Sequence, residues 1–155
     1  MLDISSISAI VAAAGVIVGV GFTVLEMRDL VRTRQTDLVM RLYSTYGSVE
    51  FQEARENVMN REFKDLGDYQ KKYGTKEISE VGVFFEGIGV LLRRRHVDIG
   101  LIDDLLGVAI KSTWEKMKLL TEAYRKKHDE PKIFEWFEYL YNEIQRIEQQ
   151  ESRAA

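Results

Sequence analysis

The 155-residue chain has no cysteine, one proline, two histidines, and no lysine or arginine before Arg28. Without cysteine there is neither a disulfide framework nor thiolate chemistry, and the absence fits a reducing compartment. A di-iron bundle needs Glu-x-x-His pairs on two helices, but His96 and His128 follow Arg93 and Arg125 at that spacing. Two unrelated histidines with no cysteine leave no ordinary zinc set. The chain also lacks a P-loop, a Gly-x-Gly-x-x-Gly turn after a strand, and a Gly-x-Ser-x-Gly elbow. Gly82, Gly87 and Gly89 fall inside an apolar helical stretch, so their spacing is no phosphate loop. No segment alternates apolar and polar residues between turns, which excludes a sheet. The expectation is an all-α protein that is not an enzyme and carries no metal and no cofactor.

What is present begins with an uncharged run. Residues 4–25, ISSISAIVAAAGVIVGVGFTVL, hold no charge between Asp3 and Glu26. Twenty-two helical residues extend roughly 33 Å, enough to cross a bilayer core of ~30 Å. A signal peptide would need a basic start and a cleavage site after a shorter core; Ala12, Ala13 and Ala14 lie mid-run, and nothing basic precedes them. A buried soluble helix rarely runs this long without a charge. The span therefore reads as a single transmembrane helix.

The flanks orient it. Arg28, Arg32, Arg34 and Arg41 follow the span and no basic residue precedes it. Basic flanks stay inside, which places the N-terminus outside and the remaining chain in the cytoplasm of a cell-membrane protein. That remainder carries all 22 basic residues and 24 of the 25 acidic ones, Asp3 being the exception. A near-neutral domain of interspersed signs argues against nucleic acid as a partner. The expected division is an anchor over 1–26, a helical domain over 27–148 and a frayed polar tail over 149–155.

Within the anchor, Ser8, Ala12, Gly15 and Gly19 share one face, and Gly15 with Gly19 forms a GxxxG pair that lets backbones approach in lipid. Membrane lipids and either a second copy or another membrane protein are the partners this implies. Beyond Glu26 an amphipathic pattern continues to Gly47, with a polar run at 33–36 that could hide a kink; Ser48 then caps a helix over 49–63. A short polar piece ends at Gly74. Residues 81–92, VGVFFEGIGVLL, have one charge in twelve and read as the central buried helix. Asp98 caps a short helix that Gly107 stops, and another runs over 108–127. Asp129 caps the last helix, with Pro131 near its first turn and a core stripe of Ile133, Phe137, Leu140, Ile144 and Ile147. The domain is thus a bundle of about five or six helices.

Three groups of residues stand out. Glu86 sits alone in the apolar helix, with Gly82 at i−4 and Gly89 at i+3. It is a candidate ligand contact, a lone carboxylate that could be buried against another helix with a raised pKa or a cationic partner, although a wet stripe where the helix meets solvent, with the glycines admitting a close neighbour, is the plainer reading. Arg93, Arg94 and Arg95 are candidate contacts for an anionic lipid or ligand, set against an ordinary cationic helix end. Trp136 and Tyr139 fall off the core stripe of the last helix and are candidates for a protein contact, set against packing on two sides.

The stretches RDLVRTRQTDLVMRLY (28–43), GVFFEGIGVLL (82–92), TWEKMK (113–118) and FEWFEYLYNE (134–143) resemble a family of archaeal and bacterial membrane-anchored helical proteins with no assigned function. The resemblance spans most of the chain. It implies an anchor followed by a helical domain and carries over no active site. The leading expectation is a membrane-anchored interaction module, self-assembling or an accessory subunit of a membrane complex. The alternative is a tethered sensor that responds to a ligand or lipid.

Overall fold

The computed structural model describes residues 3–154, and among them the protein is all-helical with six helices and no strand. These are α1 (Ile4–Tyr46), α2 (Val49–Asn60), α3 (Leu66–Tyr73), α4 (Lys76–Arg93), α5 (Ile99–His128) and α6 (Glu135–Ala154). They fall into two units, one ending at Asp37 and the other beginning at Leu38.

The first unit is the N-terminal part of α1, long and apolar enough to cross a membrane. Its apolar side chains are exposed: Phe22 is 72% exposed, and Val16, Ile17, Val20 and Leu25 are similar. The helix continues through 33–36, where the Thr33 and Thr36 hydroxyls donate to the carbonyls of Asp29 and Arg32 instead of breaking the ladder.

The second unit is a bundle assembled around α4. Val81, Phe85 and Ile88 of α4 are fully buried among Phe51 and Val58 of α2, Ile110 and Trp114 of α5, and Phe137 and Leu140 of α6. Phe85 stacks on Phe137 at 4.8 Å and meets Phe51 edge-on at 6.1 Å. Val39 from the end of α1 joins the same core. A smaller cluster of Leu66, Tyr69 and Leu120 docks α3 on α5.

Caps set the helix limits where short polar side chains precede apolar stripes. Ser48 accepts from the Phe51 amide, Asp65 from Asp68 and Asp98 from Leu101. Gly74, at φ 71°, closes α3 in a conformation that costs glycine little.

Several expected boundaries differ: α2 ends at Asn60 rather than 63, and α6 continues to Ala154 over the stretch expected to fray. Gly107 does not stop a helix: α5 runs unbroken from Ile99 to His128. The Asp103 carboxylate lies where a Cβ at Gly107 would stand, a side-chain end that can move aside. Asp129 does not open the last helix. It ends α5 as a left-handed residue at φ 52°, a conformation that aspartate tolerates. Pro131 lies in a turn that Ile133 closes by donating to the Glu130 carbonyl, and α6 begins only at Glu135.

Candidate functional site

The start of α6 lacks a conventional cap. Phe134 occupies the capping position, since its carbonyl accepts from the Glu138 amide at 3.1 Å, but it has no side-chain acceptor for the next donors. Glu86 supplies one from α4. Its carboxylate accepts from the Phe137 amide at 2.7 Å, and the Trp136 amide reaches it too. These are the second and third amides of α6, the pair that a capping serine or aspartate would satisfy. Negative charge at a helix start is favourable.

Close approach makes this cap possible. A Cβ at Gly82 would overlap the Phe134 ring, and one at Gly89 would overlap the Trp136 carbonyl. The two glycines therefore form a cradle on either side of Glu86, into which the beginning of α6 settles. Phe134 adopts φ 54°, unusual for an aromatic residue, with its ring against Gly82. Arg125 of α5 holds the same segment. Its Nε donates to the Ile133 carbonyl at 2.8 Å and its Nη1 to Glu138 at 2.7 Å.

Burial pushes the Glu86 carboxyl above its ordinary value, and nearby Glu135 adds to this; the two backbone hydrogen bonds and Arg125 act in the opposite sense. Glu86 is thus half-buried and engaged, not a stripe open to water. The Phe137 amide takes up one of its two oxygens. A carboxyl set against another helix and raised by burial, with flanking glycines that admit the close neighbour, matches the sequence reading; only the open wet stripe is corrected.

The arginines behave differently. α4 ends in a Schellman arrangement: the Arg95 amide donates to the Leu92 carbonyl and the His96 amide to that of Leu91, both at 2.9 Å. Arg95 takes the left-handed position at φ 59° and lies outside the cleft described next. Arg93 and Arg94 join Val90 and Trp136 in lining an open cleft of about 380 Å³. Trp136 meets Tyr139 edge-on at 6.0 Å, and both rings are half-buried. Two groups separated by some forty residues in sequence, the arginines and the tryptophan, therefore share one surface. Val90 completes it and was not singled out from sequence; it is simply one more apolar residue in an apolar run.

In the first unit, nothing lies within 4 Å of a Cβ built on Gly15 or Gly19. Ala12 and Ser8 are exposed beside them. Gly15 and Gly19 are thus open on the side of the helix they share.

The cleft combines an aromatic wall with two guanidinium groups. Chemically it can hold an acidic side chain or a phosphate while apolar atoms rest on Trp136. No curated protein and no solved structure matches the chain. A family model matches residues 5–144, the apolar N-terminal stretch and nearly all of the bundle, so the chain belongs to the family described as a domain of unknown function, DUF4760.

Proposed function

We propose that the protein is a single-pass membrane protein whose cytoplasmic helical bundle binds a partner protein, as a self-assembling module or an accessory subunit of a membrane complex. The observation that carries this reading is the meeting of Trp136, Val90, Arg93 and Arg94 on one open cleft. Trp and Arg are the side chains most enriched among residues that dominate protein interfaces, and an apolar wall beside two cations suits an acidic, partly apolar segment. The exposed apolar length of α1 supports the anchor, and the four arginines that follow it support the orientation.

The test is Trp136→Ala in a co-purification from mild detergent. Loss of a partner or of a second copy, with a nearly unchanged melting temperature, is the expected result. A large fall in melting temperature with association intact would make the ring structural and end the proposal.

A second reading is favoured by the two guanidiniums alone: the cleft takes the anionic headgroup of a lipid or a related small anion. Each basic residue near an anionic surface contributes ~1 kcal/mol. Arg93→Gln with Arg94→Gln would then lower the affinity of the bundle for vesicles containing phosphatidylserine while leaving protein association intact.

A further inference from the structure

Val108, 79% exposed, and Leu119, 71% exposed, are the two most exposed large apolar side chains of the bundle. A lone exposed valine is ordinary, but Val108 is not alone. It shares an open hollow with Tyr46 and Leu105, and Asp103 and Asp104 stand at the same hollow. Asp104 is exposed and precedes Val108 by four residues, so the two are neighbours on the outer face of α5. Arg55 also lines the hollow, but its guanidinium is directed to the hydroxyls of Thr113 and Ser112, each at 3.0 Å.

The cleft carries the opposite pattern at the same spacing. Val90 and Arg94 are four residues apart, apolar first and basic second, with Arg93 and Trp136 beside them. On α5 the order is acidic first and apolar second. Two such faces laid antiparallel put Val90 against Val108 and Arg94 against Asp104 in one register. Their placement agrees as well. Arg93 is the last residue of α4, Asp104 lies in the second turn of α5, and only residues 94–98 connect the two helices. Cleft and face therefore stand at one end of the bundle. Leu119 follows Glu115 at the same spacing, but Lys118 adjoins it and would oppose the arginines. Lys111, the cation one turn past Val108, is taken up by Glu148.

We propose that the cleft receives a second copy of this chain, whose exposed Asp104–Val108 face seats Val108 on Val90 and Trp136 and places the Asp104 carboxylate on Arg94. This rests on the reading of the cleft as a protein-binding surface and names its partner. The two faces are unlike, so the contact runs head to tail. Copies held in one orientation by α1 then repeat about an axis along the membrane normal, which closes a ring.

The chain has no cysteine, so introduced pairs report contacts without background. A disulfide needs Cβ atoms about 3.5–4.5 Å apart. Two differently tagged copies of the full chain, one Val90→Cys and the other Val108→Cys, are co-expressed in membranes and oxidised. A mixed disulfide is expected, with none between two Val90→Cys copies or two Val108→Cys copies, and none when Leu119→Cys replaces Val108→Cys. Arg94→Glu in the Val90→Cys copy should abolish the link, and Asp104→Arg in the other copy should restore it. Val90, Arg94, Asp104 and Val108 are all exposed, so the variants should melt as the parent does. The proposal is overturned if the mixed disulfide is absent, if it forms no faster than the like-with-like pairs, or if the charge exchange does not restore it. An absent link with a partner still lost on Trp136→Ala assigns the cleft to another protein and leaves its reading intact. Association that survives Trp136→Ala removes that reading and this proposal together.

Discussion

At the scale of single residues, Glu86 shows how one side chain can be conspicuous in a sequence while its role stays hidden. Its isolation in an apolar helix and its two flanking glycines are local and legible. Its partners, the amides of Trp136 and Phe137, lie about fifty residues away, and no pattern at short range points to them. The raised carboxyl has a consequence with a definite sign. A group whose folded value exceeds its unfolded one stabilises the protein in full below the unfolded value, near 4.5 here, and that contribution is lost as the pH rises through the folded value. Glu86→Gln keeps an acceptor for the Phe137 amide and removes the titration. Its melting temperature relative to the parent should therefore improve between pH 4 and pH 7.5, and a difference that stays constant across that range would contradict the burial argument. Phe85 is the simpler case. It is fully buried between Phe51 and Phe137, and Phe85→Ala should cost ~3–5 kcal/mol in a denaturant melt. A loss below ~1 kcal/mol would mean that the core closes over the gap.

At the scale of elements, glycine has opposite meanings in different helices. Gly82, Gly89 and Gly107 are filled spaces: a ring, a carbonyl and a carboxylate occupy the position a Cβ would take. Gly15 and Gly19 are open spaces, with nothing near them in the chain itself. The sequence shows small residues in both settings and cannot say which are occupied. Gly107 was misread for a like reason, since a glycine inside a helix looks in sequence like one that ends it. Asp129 was misread for a related one: aspartate serves both at helix starts and at left-handed ends, and a turn through Pro131 separated it from α6. If the open face of α1 receives another helix, Gly15→Ile with Gly19→Ile should reduce the mass of the detergent-solubilised complex. An unchanged mass would show the face to be incidental.

At the scale of the whole molecule, the proposed topology rests on charge alone. A phosphatase that is active only outside the cytoplasm, fused after residue 155, should remain silent. Strong activity would reverse the orientation and move the Trp136 cleft to the other side of the membrane.

The sequence by itself determined the helical class, the uncharged N-terminal stretch, the central place of the 81–92 segment and the caps Ser48 and Asp98, because each depends on period, composition or a neighbour within four residues. Only the tertiary structure decided that Glu86 caps α6 and that Arg93 and Arg94 share a cleft with Trp136. It alone showed that the Thr121 side chain is buried. Those facts follow from which faces of α4, α5 and α6 press together. That choice is made by the summed packing of rings such as Phe51, Phe85 and Phe137, each of which is locally no more than an apolar residue at helical spacing.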